Sequence, residues 1–168
     1  MAPTQTQLTD TAFGPRPSIE VGILEDGARL DGRARRAMSS RMLVLPVFDG
    51  DGEATGTYRV VRASGTYRVT LGDDGGCDCP DSRHRDATCK HQRRVAREIT
   101  DGRVPGPGES VHLFFADTVP EIRGRLRDAR SALETGQVPA GADASELSET
   151  VERFEAELTK AVDKYGAL

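Results

Sequence analysis

The sequence contains no tryptophan, only 5% aromatic residues, and only three lysines among its 23 basic side chains. With so few rings, a large core built on aromatic anchors is excluded. No stretch approaches the ~18 consecutive apolar residues that a membrane-spanning helix needs. Residues 1–18 are rich in Thr, Gln and Pro and lack the basic start and apolar run of a secretory signal. They read as a disordered tail, and the expected location is cytoplasmic. Cysteine is scarce as well. Cys77, Cys79 and Cys89 make an odd set of three, which does not suit a secreted disulfide framework. In a reducing compartment these thiols stay free. Their clustering within thirteen positions then points to metal or redox chemistry. Scarce lysine beside abundant Arg and Asp suggests a GC-rich, prokaryotic source.

At 168 residues the chain is about one domain's worth by the usual 100–200 residues. It is 36% hydrophobic, enough for a modest core, and 30% charged. The charge is unevenly spread. Residues 1–26 carry a net charge of −3, residues 27–100 a net +4, and residues 101–168 a net −5. A basic middle thus lies between acidic flanks. The expected organisation is a tail (1–18), a central module (19–104), a linker (105–112) and a helical hairpin (113–168).

Residues 27–40 show helical periodicity, with Leu30, Ala34, Ala37 and Met38 on one face and Arg29, Arg33 and Arg36 on another. Residues 42–48 form an apolar run broken by Pro46, which suits an edge or first strand. Residues 57–61 and 66–71 alternate on either side of Ser64-Gly65 and predict a β-hairpin. The pentapeptide GTYRV occurs twice, at 56–60 and 65–69. Residues 89–100 look helical, and 101–110 are rich in Pro and Gly. Beyond them, Val119, Ile122, Leu126, Ala129 and Leu133 form one heptad-like series, and Leu147, Val151, Phe154, Leu158, Ala161 and Tyr165 another. Gly136 through Ala144 breaks them, so an αα-hairpin is expected.

The segment that carries chemistry is CDCPDSRHRDATCKH, residues 77–91. It reads C-x-C, nine residues, then C-x-H. Zinc takes four N/S ligands in a tetrahedron, and two ligand pairs joined by a loop meet that demand. Cys77, Cys79, Cys89 and His91 are the expected ligands. His84 is the rival fourth ligand. His91 is preferred because it pairs with Cys89 as Cys77 pairs with Cys79. His112, within VHLFF, reads as structural. Thiol exchange at C-x-C has less support, because the oxidoreductase signature is C-x-x-C near a βαβ pattern. A catalytic zinc would need an open coordination position. Asp78 and Asp81 read as turn formers or outer hydrogen-bond acceptors.

CDC…CKH, preceded by a hairpin with YRV and followed by a basic helix, resembles a SWIM-type zinc finger over about residues 27–100. The resemblance implies a ββα arrangement with Cys77, Cys79, Cys89 and His91 holding one structural zinc. It also implies DNA binding or protein–protein contacts, since such modules accompany helicase-like ATPases, transposases and recombination factors. The expected fold is α+β: a small zinc-stapled ββα-type module with a preceding helix and strand, then a C-terminal antiparallel helical hairpin. No phosphate-binding G-x-x-x-x-G-K-[ST] or nucleophile G-x-S-x-G is present, so no enzyme is expected.

Lys90, Arg94 and Arg97 recur at i, i+4 and i+7 on the helix after the finger. With Arg29, Arg33 and Arg36 they predict a phosphate-binding surface for DNA. Solvated helix faces explain the same pattern. No aromatic is interleaved to stack bases. The other expectation is an adaptor for a recombination, replication or helicase-type protein. Neither a membrane nor a small-molecule substrate is expected.

Overall fold

A computed structural model describes residues 41–85 and 88–166. The tail, the helix expected over residues 27–40, and Arg29, Arg33 and Arg36 lie outside the described residues.

Four antiparallel strands follow one another across a meander: β1 (Leu43–Phe48), β2 (Ala54–Arg62), β3 (Gly65–Thr70) and β4 (Gly76–Cys77). β1 is an outer strand, which is where Pro46 can be tolerated, because a proline cannot donate to a ladder on both sides. Arg62 opposes Gly65, so the tight turn is Ala63-Ser64, one residue earlier than the sequence suggests. The two GTYRV copies face each other. Arg59 lies opposite Arg68, and each tyrosine faces the other copy's valine: Tyr58 with Val69, Tyr67 with Val60. Such aromatic–β-branched pairs stabilise a sheet by roughly 0.2–1 kcal/mol each. Because side chains alternate along a strand, Tyr58, Val60, Tyr67 and Val69 share one face, with Arg59 and Val61 on the other.

Those two faces receive different helices. After β4 come α1 (Pro80–Arg85) and α2 (Lys90–Thr100). Helix α2 lies on the tyrosine face, where the His91 ring stacks on Tyr67. A short helix α3 (Val111–Leu113), a π-helical turn (Phe114–Thr118), α4 (Val119–Glu134) and α5 (Ala144–Tyr165) complete the chain. Helix α5 packs on the opposite face, where Arg59 pairs with its Glu157, and α4 packs against α5. The fold is therefore α+β, with an antiparallel four-stranded sheet and a helical C-terminal part.

The heptad-like steps become the buried seam. Val119, Ile122 and Leu126 are buried on α4, and Leu147, Val151, Phe154, Leu158, Ala161 and Tyr165 on α5. Ala129 and Leu133 pack at its margin. Helix α4 ends where Gly136 adopts a φ of 70°, with Gln137 N–H donating to the Ala132 carbonyl at 2.8 Å and Gly136 N–H to that of Leu133 at 3.3 Å. This left-handed stop suits glycine because it carries no Cβ to clash. Asp143 caps α5 by accepting from Glu146 N–H at 2.9 Å.

One hydrophobic core runs through sheet and hairpin. The Phe48 ring lies 5.3 Å from that of Tyr165 and 6.1 Å from that of Phe114. Residues 105–112 cross from sheet to hairpin in contact with this core. Pro105 and Gly106 are buried, and the Tyr58 hydroxyl donates to the Pro105 carbonyl at 2.9 Å. His112 departs from the structural role expected of it. It is exposed, because the helix capped by Ser110 turns Val111 and Phe114 inward and His112 outward.

Candidate metal centre

Three local devices bring the ligands together. The first is the turn after β3, which delivers the chain to Cys77. Gly75 is packed so closely there that a Cβ would lie 2.5 Å from the Thr70 carbonyl oxygen and 2.8 Å from that of Gly72. The second is a knuckle pinned to β3. Asp78 N–H donates to the Arg68 carbonyl at 3.1 Å, and Arg68 N–H donates to Asp78 Oδ1 at 2.9 Å. Asp78 is thus the turn former its position suggested. Cys79 then precedes Pro80 at the start of α1, and its Sγ accepts from Ser82 N–H at 3.4 Å. The third device is the entry to α2. Cys89 is its N-cap in an extended conformation, and Gln92 Oε1 accepts from Cys89 N–H at 2.9 Å. His91 follows in the first turn.

The four side chains converge. Cys77, Cys79, Cys89 and His91 are all buried, and one ligand atom from each lies within 4.8 Å of all the others. His91 Nδ1 is 3.7 Å from Cys77 Sγ and 3.9 Å from Cys89 Sγ. Zn–S near ~2.3 Å and Zn–N near ~2.0–2.1 Å give a tetrahedral S···N edge of about 3.6 Å. The cluster is therefore close to the size of a four-coordinate site, and it could bind one metal ion. All three cysteines are free thiols. His84 is exposed on α1 and does not belong to the cluster.

The electrostatics agree with a cation site. Three buried sulfurs this close cannot all carry charge unless a cation sits between them. The Cys77 thiol is pushed far up by its hydrogen bond to Cys89 and by burial, and that of Cys79 is pushed up chiefly by burial. Cys89 moves the other way. Its thiol is pulled down to about 3, first by the hydrogen bond from Cys77, then by those from His91 and the Gln92 backbone, against the opposing effect of burial.

Of the basic residues expected to touch DNA, the described ones, Lys90, Arg94 and Arg97, do not form one exposed stripe. Arg94 is only 4% exposed, and its Nε lies 2.6 Å from Glu98 Oε1. It points inward because His91, Arg94, Val95 and Glu98 form the buried face of α2. Arg97 is exposed but engaged, its Nε 2.7 Å from Asp101 Oδ2. Lys90 is half-buried. Sequence reasoning missed two contributors to the centre. One is Tyr67, whose ring lies 4.3 Å from that of His91 at an interplanar angle of 23°. The other is Gln92, three residues after Cys89, whose spacing is that of a capping box. Helix α1 was also missed, although proline at its first position followed by Asp81 is a start signal.

No family model, curated protein or solved structure matches the chain. Among the described residues, no helix is long and apolar enough to cross a membrane.

Proposed function

We propose that the protein is a SWIM-type binding module whose Cys77, Cys79, Cys89 and His91 hold one structural zinc ion. The observation that carries the reading is the burial and convergence of these four donors in a three-sulfur, one-imidazole set. Zinc supplies a rigid tetrahedral staple there, worth roughly 10–16 kcal/mol in small zinc-finger peptides. Four protein donors close the site, so the module is non-catalytic. Elemental analysis should find one zinc per chain. His91→Ala should lose it and His84→Ala should keep it; the reverse pattern would overturn the assignment. Chelation should abolish the thermal unfolding transition of the sheet and α2, and an unchanged transition after verified metal removal would refute a structural role.

The module's partner is nucleic acid, held through phosphates by the basic middle of the chain. The net +4 over residues 27–100 supports this. Lys90 and Arg97, with Arg29, Arg33 and Arg36, carry the contacts, and Arg94 is removed from the set. DNA affinity should fall steeply with salt. Arg97→Gln should flatten the slope by up to about one unit, whereas Arg94→Gln should leave it unchanged. The second reading, a protein adaptor, is favoured by the carboxylates Glu98 and Asp101, which already engage Arg94, Arg97 and Arg103. Absence of DNA binding at low salt by the intact zinc protein would select it.

A further inference from the structure

We propose that Tyr67 is the positioning residue of this centre: its ring holds the His91 imidazole so that Nδ1, rather than Nε2, is the ligating nitrogen. The inference rests on the metal reading above.

The two ring nitrogens have different surroundings. Nδ1 faces the sulfurs, 3.7 Å from Cys77 and 3.9 Å from Cys89. Nε2 is buried and has no hydrogen-bond partner among the described residues. A metal-binding histidine usually donates its second ring N–H to a carboxylate or carbonyl, and that bond fixes the plane of the ring. Among the described residues no such acceptor is in place, and the contact that can orient the ring is on its face. Tyr67 supplies it by stacking at 4.3 Å and 23°.

The sheet holds the orienting ring firmly. Tyr67 lies opposite Val60 on β2, and Val69, two residues on and on the same face, lies opposite Cys77 on β4. One strand therefore sets both the His91 plane and the height of a thiol ligand. The C-x-H spacing fits as well. Cys89 and His91 are two residues apart at one helix end, and Nδ1, the ring nitrogen nearer the backbone, lies 3.9 Å from Cys89 Sγ. This also gives the first GTYRV copy and the second different tasks. Tyr58 anchors the residue 101–110 segment through Pro105, and Tyr67 orients a ligand.

The test uses the zinc-loaded full chain. Long-range ¹H–¹⁵N correlation spectra should show the His91 ring bound at Nδ1 and protonated at Nε2, in the wild type and in Tyr67→Phe. Zinc affinity, measured by chelator competition, should be unchanged in Tyr67→Phe. It should fall by about 10–100-fold in Tyr67→Ala and Tyr67→Leu, the usual effect of losing an outer partner of a ligand. Tyr67→Leu keeps apolar volume without a flat ring, so it separates stacking from filling. Ligation through Nε2 in the wild type, or wild-type affinity in both Tyr67→Ala and Tyr67→Leu, would overturn the proposal while leaving the zinc site intact. A wild-type protein that takes up no zinc removes the metal reading, and this inference with it.

Discussion

Replacing Glu98 by alanine should destabilise the protein more than replacing either arginine it binds. The Glu98 carboxylate is 6% exposed and takes Arg94 Nε at 2.6 Å on one oxygen and Arg103 Nε at 2.7 Å on the other. Its partners are unequal. Arg103 also reaches Asp101 Oδ2 at 2.6 Å, so it keeps a counter-ion when Glu98 is lost. Arg94, with a side chain only 5% exposed, would lose the carboxylate 2.6 Å from its Nε. Breaking a buried pair in this way costs about 3–5 kcal/mol. Arg94→Ala leaves Glu98 paired with Arg103, so it should cost less than Glu98→Ala. Removing both charges, as Arg94→Met with Glu98→Leu, should cost less than Glu98→Ala alone, because apolar side chains can replace a buried pair with little loss. Urea unfolding of the zinc-loaded protein reads all three. A Glu98→Ala cost below about 1 kcal/mol, or a double variant that simply sums the single effects, would refute an internal role for Arg94.

Gly75→Ala should lower zinc occupancy, because its Cβ would meet backbone oxygens of Thr70 and Gly72, which cannot move without displacing Cys77; full zinc content with an unchanged unfolding midpoint would count against it. Tyr58→Phe should cost about 0.5–1.5 kcal/mol by deleting the hydrogen bond to Pro105. It should also flatten the alkaline limb of stability. Burial, and then the Glu109 charge, push the Tyr58 phenol up to about 12. A group whose folded value is raised stabilises fully below its unfolded value near 10, and that contribution fades as pH rises towards 12. On the acid side, burial raises the Glu157 carboxyl, but hydrogen bonds from Lys160 and Arg59 outweigh it and hold it below the usual range. That contribution is present above the ordinary carboxylate value and is lost as pH falls through the folded one. Glu157→Gln should flatten this limb, measured by denaturant midpoints between neutral and acid pH.

Periodicity made the apolar skeleton legible. The alternation around Tyr58 and Tyr67 gave the hairpin, the heptad-like steps gave the seam of α4 and α5, and C-x-C with C-x-H gave four donors that do converge. Polar residues were less legible, for a physical reason. A stripe of arginines has the same spacing whether it faces phosphate or a carboxylate of its own chain. Glu98 stands four residues after Arg94, an ion-pair spacing, but the burial of that pair depends on the segment after α2. Arg103 and Val104 N–H groups fold back there to the Glu98 carbonyl at 2.9 and 3.2 Å. Pro and Gly in that segment mark turns, not whether a turn is solvated or packed. His112 was misread because VHLFF is apolar on average, while a short helix sends neighbours to opposite sides.

The polarity of α2 explains why both ends of this helix are fastened. Its sequence, KHQRRVAREIT, holds one fully buried aliphatic side chain, Val95. Burying that side chain contributes roughly 1.5–3 kcal/mol, little against a backbone ordering cost of about 1–2 kcal/mol per residue. Hydrophobic contact alone therefore does not hold α2 on the sheet. At its start, Cys89 and His91 meet Cys77 of β4 and Cys79 of the knuckle in the buried cluster. At its end, Glu98 clasps Arg103, and the Arg103 carbonyl accepts from Thr118 Oγ1 at 2.7 Å, next to α4. The helix thus bridges the ligand cluster on one side and the hairpin's entry on the other. Arg94 serves that bridge and not a surface, which is why a basic helix in the sequence becomes, in part, an internal strut.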